Sequence, residues 1–255
     1  MDNVNKTLYI PLYGKACVSG RGIILRDSKA EEIWAAEAFP LKGKSKSKWL
    51  AYYMGMRAAV FDRWLKGRME TDPSAVILHI GCGMDSRCER VGAQGHRWYD
   101  IDFPDVIAER KRYYRETEHY QMLAADVTAA DWLEPLPGGN AVVVMEGVSM
   151  YLPPEALKRT LERMAAHFDG VHLLMDCYTT FAAKASRCKN PINDVGVTQV
   201  YGLDDPKTLE GFVCEHEMTP ADLVDELRGM ERKVFRMLCA GGIAQKMYRL
   251  YEYRR

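Results

Sequence analysis

Between Val76 and Arg87 a short apolar run, Val76-Ile77-Leu78-His79-Ile80, breaks directly into Gly81-Cys82-Gly83-Met84-Asp85-Ser86-Arg87. So short a run of β-branched and aliphatic residues, bounded by turn residues, reads as a strand buried on both faces rather than as a helix. The glycines after it allow a tight turn, and without a Cβ they leave backbone against which a ligand can lie. Two glycines so placed also serve as an ordinary sharp turn, and the rest of the chain has to decide between the readings.

The pattern set by this unit recurs. Candidate strands run from Ala75 to Ile80, Arg97 to Ile101, Tyr120 to Ala124, Ala141 to Met145 and Val171 to Cys177, with helix-length periodicity at Asp105 to Arg115 and Pro153 to Phe168. Short apolar runs separated by helices are the signature of parallel strands joined by right-handed crossovers, with helices on both faces of the sheet. Upstream, to about Met69, the chain reads as helical: Ser28 caps a first helix with Glu31 three residues on, Pro40 stops it, residues 42–48 form a polar connector, and a second helix runs from about Trp49 to Leu65. Downstream, Phe212 to Met218 and the alternating run Lys246 to Tyr253 read as strands, and Thr219-Pro220 opens a helix.

The chain has 255 residues, 47% of them hydrophobic, which suits one domain. Its expected parts are an N-terminal helical cap (1–70), a ligand-binding core (71–178), a lid segment (179–211) and C-terminal strands and helix (212–255). Lys and Arg total 35, as do Asp and Glu. With no net field to hold a nucleic-acid backbone or an anionic membrane, a compact small-molecule substrate is expected. No apolar run approaches the roughly 18 residues that span a bilayer, and a soluble cytoplasmic protein is expected. The seven cysteines are odd in number and form no C-x-x-C pair, which fits reduced thiols. Cys82, Cys88, His79 and His96 lie close in sequence, but their spacing matches no zinc finger or ribbon, and no metal site is expected.

Ligands in open α/β sheets bind beyond the carboxyl ends of the strands. Asp102 ends the second strand about twenty residues past the glycines, the offset of a ribose-binding carboxylate, and Asp100 lies two residues earlier as support or substitute. Asp126 and Val127 follow the third strand, where a carboxylate can accept from an adenine amino group and an apolar side chain can touch the ring. Glu146 follows the fourth. Each of the aspartates has an alternative role as a helix cap or turn residue. A nicotinamide dinucleotide fits less well, because Ser86 stands where the third glycine of G-x-G-x-x-G would be and the chain leaves little room for a second mononucleotide half.

Ile80-Gly81-Cys82-Gly83-Met84-Asp85-Ser86-Arg87, Asp100-Ile101-Asp102-Phe103-Pro104, Ala125-Asp126-Val127 and Glu146-Gly147-Val148-Ser149-Met150-Tyr151-Leu152 resemble successive motifs of the leucine carboxyl methyltransferase family, most closely its bacterial branch of polyketide-synthesis O-methyltransferases. The similarity extends to Gly14-Lys15-Ala16, residues 25–33 and residues 247–251. It implies a class I, Rossmann-like fold with a mainly parallel seven-stranded sheet and extra N-terminal helices. It also implies S-adenosylmethionine as cofactor and S-adenosylhomocysteine as product. By the same resemblance Gly81, Cys82 and Gly83 border the methionine moiety, Asp102 and Asp100 the ribose, Asp126 and Val127 the adenine, and Glu146 the amino group, while Lys15 and Arg57 hold the carboxylate. Two positions depart from the family pattern: Asp100 replaces a glutamate and Ser28 a proline.

Methyl transfer from a sulfonium is an in-line displacement that chiefly needs alignment and exclusion of water. A carboxylate acceptor, with a pKa near 4, is already ionised at neutral pH, whereas a hydroxyl needs a nearby base. The motifs supply no evident base, so a small organic acid is the expected acceptor, with Arg57 and Tyr151 positioning it and Tyr178, Lys184 and Tyr201 as further wall candidates. A protein substrate and a homodimer stay open. So do two other functions, a non-catalytic S-adenosylmethionine-binding relative and a nicotinamide-dependent oxidoreductase. Residues 181–206 would close over the site as a lid, or form a solvated surface loop.

Overall fold

The computed structural model describes residues 5–93, 95–186, 199–240 and 248–255. Three helices come first, α1 (Tyr9–Gly20), α2 (Ser28–Glu37) and α3 (Lys48–Thr71). The alternating part follows as β1 (Val76–Ile80), α4 (Arg87–Val91), β2 (Trp98–Asp102), α5 (Pro104–Arg110), β3 (Tyr120–Ala124), β4 (Asn140–Met145), α6 (Pro154–His167) and β5 (Gly170–Tyr178). Then come α7 (Thr180–Ser186), β6 (Val213–Met218), α8 (Gly229–Ala240) and β7 (Tyr248–Arg254). The strands form one sheet in the order β3-β2-β1-β4-β5-β7-β6. Its first five strands are parallel, and β7 runs antiparallel to both β5 and β6. This is the mainly parallel, seven-stranded α/β architecture expected from the sequence.

The period of two along each strand sorts the core into two layers. Val76, Leu78 and Ile80 of β1 join Val143 and Met145 of β4 against Leu157, Leu161 and Met164 of α6. Ile77, Val142 and Val144 point the other way, into a layer built by Leu12 of α1, Ile33 of α2, Met56 of α3 and Ile107 of α5. Helices on both faces keep β1 and β4 dry, which is why they read as continuous apolar runs.

Two local expectations are corrected. The cap of α2 is Asp27, not Ser28: Asp27 Oδ1 accepts from the Ala30 amide at 2.8 Å, while Ser28 is exposed as the first helical residue. The third helix continues six residues beyond Leu65, because Met69 is buried and Arg68 reaches β7 and β6, its Nε donating to Glu252 at 2.9 Å and its Nη2 to Glu215 at 3.2 Å. Thr219-Pro220 does open a helix, a short 3-10 one, Pro220–Glu226, begun by a capping box between Thr219 and Asp222, and α8 follows it.

The corrected cap is testable by stability. Asp27 also accepts from Ser86 Oγ at 2.6 Å and Arg90 Nη1 at 2.7 Å. Asp27→Ala is therefore expected to cost about 2 kcal/mol or more in urea unfolding, and Ser28→Ala less than about 0.5 kcal/mol. Equal costs would return the cap to Ser28.

Candidate active site

The strand order reverses between β1 and β4, and the crevice beyond their carboxyl ends holds a cavity of about 500 Å³. Pockets of roughly 300–1,000 Å³ are the size that encloses a small ligand. Of the cofactor residues expected from the sequence, Lys15, Arg57, Gly81, Cys82, Gly83, Asp102, Asp126, Val127 and Glu146 all line it.

Two glycines make the turn after β1 in the left-handed region, Gly81 at φ +65° and Gly83 at φ +50°. A Cβ on Gly81 would fall 2.2 Å from Cγ2 of Val148, so both backbone conformation and space call for glycine there. The turn is then pinned to β2 by Asp102, whose Oδ2 accepts from the Gly83 amide and whose Oδ1 accepts from the Phe103 amide, each at 2.8 Å. Each carboxylate oxygen has two lone pairs, so one on each remains for a ligand hydroxyl. Burial raises the Asp102 pKa above its ordinary value. Asp126 accepts from the Thr128 amide and hydroxyl at 2.9 and 2.7 Å while lining the cavity; the turn role and the wall role coexist in one residue.

Asp100 is the exception. It is fully buried and does not line the cavity. Its carboxylate accepts from Trp98 Nε1 at 2.8 Å, Tyr120 Oη at 2.6 Å and Arg110 Nη2, and faces His79 Nδ1 at 3.0 Å. Burial opposes the charge, but Arg110 and these donors prevail and bring its pKa down to about 2. Arg110 in turn donates to the carbonyls of Gly83 and Asp85 at 2.9 and 2.7 Å. Asp100 thus props the glycine turn from beneath. The expectation of a ribose contact is corrected, because a carboxylate occupied by four partners inside the core is not at the strand's edge.

His79 is likewise committed. Arg87 Nη1 lies 3.1 Å from its Nε2, which makes Nε2 the acceptor and Nδ1–H the donor toward Asp100. Burial lowers its pKa and keeps the ring neutral. The Cys82 thiol is buried in the wall, and burial pushes its pKa far up, so it serves as a small apolar surface.

Both expected carboxylate-binding cations are already paired. Lys15 Nζ lies 3.2 Å from Asp85. Arg57 donates from Nε to Glu146 at 2.8 Å and from Nη1 to Asp176 at 3.3 Å and Tyr248 at 3.2 Å, and among the described residues its Nη2 has no hydrogen-bond partner. The guanidinium lies on Gly147, where a Cβ would come within 3.4 Å of Nη1. Glu146 also accepts from Arg87 Nη2; burial opposes its ionisation, but Arg57 and Arg87 bring its pKa down to about 2.

On the other side the wall is aromatic and aliphatic, with Tyr53, Tyr151, Tyr178, Tyr248 and Met54 among its residues. Tyr151 and Tyr178 were expected there; Lys184 and Tyr201 do not line the cavity. The Tyr201 amide instead donates to the Met150 carbonyl at 2.7 Å, and the Leu203 amide to that of Tyr178 at 2.9 Å, so the end of the expected lid is tied to the wall. The middle of that segment, 187–198, lies outside the described residues. Sequence reasoning missed Tyr53, Asp176 and Tyr248. The strand-end rule applied to β5 would have found Asp176.

Stability distinguishes the two β2 aspartates. Asp100→Ala strands Arg110 in the core and is expected to cost about 3–5 kcal/mol, whereas Asp102→Asn leaves one backbone amide without its acceptor and should cost about 1–2 kcal/mol. Comparable losses in chemical denaturation would contradict this division of roles.

Comparisons with known proteins agree with this geometry. The model of the leucine carboxyl methyltransferase family matches residues 10–165, more than half the chain. The tetracenomycin polyketide synthesis O-methyltransferase TcmP of Streptomyces glaucescens is 29% identical over 216 residues, 84% of this chain and 80% of that protein. The S-adenosyl-L-methionine-dependent methyltransferase dpfgK of Gibberella zeae is 29% identical over 186 residues, 67% of this chain and 62% of that one. Among solved structures, magnesium protoporphyrin IX methyltransferase from Synechocystis, with S-adenosylhomocysteine bound, has the same fold at a TM-score of 0.52 and 13% identity, covering 95% of this chain and 99% of that one.

Proposed function

The chain belongs to the leucine carboxyl methyltransferase family, and we propose that it transfers a methyl group to the carboxylate of a small organic acid. That it is an S-adenosylmethionine-dependent methyltransferase follows from the family and its relatives. The donor set fits that cofactor: a carboxylate ends β2 and others follow β3 and β4, Lys15 stands beside the β1 turn and Arg57 beside the turn after β4, and the cavity between them is of small-ligand size. No described helix is long and apolar enough to cross a membrane.

When bound, the cofactor supplies a sulfonium methyl group open to in-line displacement. On this reading the bare backbone at Gly81 and Gly83, with Cys82 between them, borders the methionine portion. The free lone pairs of Asp102 accept from ribose hydroxyls, Asp126 and Val127 meet the adenine, and Glu146 accepts from the amino group. Lys15 and the free Nη2 edge of Arg57 hold the carboxylate, as guanidinium chemistry suits. Tyr151 helps align the acceptor.

The observation that carries the carboxylate reading is the absence of a free base on the tyrosine side of the cavity. Among the described lining residues the one imidazole, His79, has both nitrogens engaged, Glu146 and Asp85 are ion-paired with their pKa values held low, and Asp102 and Asp126 lie at the ends of β2 and β3, on the side given to the cofactor. A hydroxyl acceptor would find nothing there to take its proton, whereas a carboxylate arrives without one. The O-methyltransferase relative is consistent with transfer to oxygen.

Incubation with methyl-labelled S-adenosylmethionine and small organic acids is expected to yield a base-labile ester. The rate with such an acid should be flat between about pH 6 and 9, because the acceptor's pKa near 4 lies well below that window. A rate rising tenfold per pH unit, or an alkali-stable ether as product, would overturn the carboxylate reading. Asp102→Ala should weaken S-adenosylhomocysteine binding at least tenfold, about 1.4 kcal/mol, by calorimetry. Unchanged affinity would remove Asp102 from the ribose site.

A further inference from the structure

Tyr248, the first residue of β7, sits in the middle of a row of rings. Its centroid lies 6.0 Å from that of Tyr53 and 5.2 Å from that of Tyr178, at interplanar angles of 53° and 56°, and all three line the cavity. The three come from α3, β5 and β7, so the row exists only once those elements are assembled.

The hydroxyl of Tyr248 is engaged behind this row. It donates to Asp176 Oδ2 and accepts from Arg57 Nη1 at 3.2 Å. A phenol has a single proton to donate, and here Asp176 receives it. Burial and the neighbouring Asp176 carboxylate push the phenol's pKa far up, so the proton stays in place. Asp176 is itself fully buried and also accepts from the Gly147 amide at 2.8 Å. One carboxylate thereby sets Arg57 from α3, the backbone after β4 and the side chain that opens β7. Tyr248 has no donor left for an anionic acceptor; what it offers is the surface of its ring, whose contacts discriminate by shape and width.

We propose that Tyr248 is a specificity-determining residue for the acceptor, and that Asp176 is the positioning residue that locks its ring in the tyrosine row. The proposal rests on placing the acceptor at the tyrosine side of the cavity. Planar aromatic acids suit such a row, and Tyr248 limits how wide they can be.

The test reads binding, so it does not depend on transfer. Protein saturated with S-adenosylhomocysteine is titrated calorimetrically with benzoic, naphthoic and anthracene-carboxylic acids. Tyr248→Ala is expected to shift the affinity ratio toward the widest acid by about tenfold or more, while Tyr248→Phe, which keeps the ring, shifts it less. Asp176→Asn should move the ratio in the same direction as Tyr248→Ala, and the double variant should move it no further than the larger single effect. If Tyr248→Ala does not fold, as judged by its thermal transition, Tyr248→Leu serves in its place. An unchanged ratio in the variants overturns the proposal, as does failure of all three acids to bind the unaltered protein. A shifted ratio without any ester formed would sink the carboxylate acceptor and leave the role of Tyr248 standing.

Discussion

Charge compensated out of reach of water holds the sheet's working edge together. Asp85 meets Lys15, Arg87 and Arg90; Asp62 meets Arg87 and Arg90; Glu146 meets Arg57 and Arg87. Burying such ions costs several kcal/mol each, and well-packed apolar residues often do as well or better for stability alone. What the network supplies is placement. It ties α1, α3 and α4 to the ends of β1 and β4, and because the partners are shared, no one of them can shift without leaving another charge buried and unmatched. The glycine turn is held in the same way from below, by Asp100 through Arg110.

Much of this was legible in the sequence, and the limits have physical reasons. Strand positions could be read because β1, β4 and β5 are covered on both faces and so are largely apolar. The strand ends then pointed to Gly81, Asp102, Asp126 and Glu146, all of which line the crevice. Asp100 was misplaced because it and Asp102 look alike in a one-dimensional pattern. Which of them faces the crevice depends on Arg110 and Tyr120, which come to Asp100 only on folding. The true end of α3 was hidden for the same reason: its last turn is held by Glu252 and Glu215, far away in sequence. Asp27 was overlooked because Ser28 also fits a capping pattern with Glu31.

Arg57 joins the two halves of the crevice. Its Nε faces Glu146, on the side assigned to the cofactor, and its Nη1 faces Asp176 and Tyr248, on the side of the tyrosines. A planar guanidinium presents these donors in a fixed fork, which the flexible ammonium of lysine cannot reproduce. One rigid group therefore fixes the distance between the polar and aromatic walls. In-line transfer is sensitive to displacements of that order.

The strand order also bears on how such a chain is made. β7 follows the other strands in sequence yet lies between β5 and β6. A ribosome releases the chain from its amino end, so the parallel strands and the glycine turn can assemble while β6 still has no neighbour to pair with. The element that completes the sheet also carries Tyr248. A nascent chain would thus form the crevice beyond β1 and β4 before the ring of Tyr248 joined its wall, and the edge of β5 would stay open to foreign strands until β7 arrived.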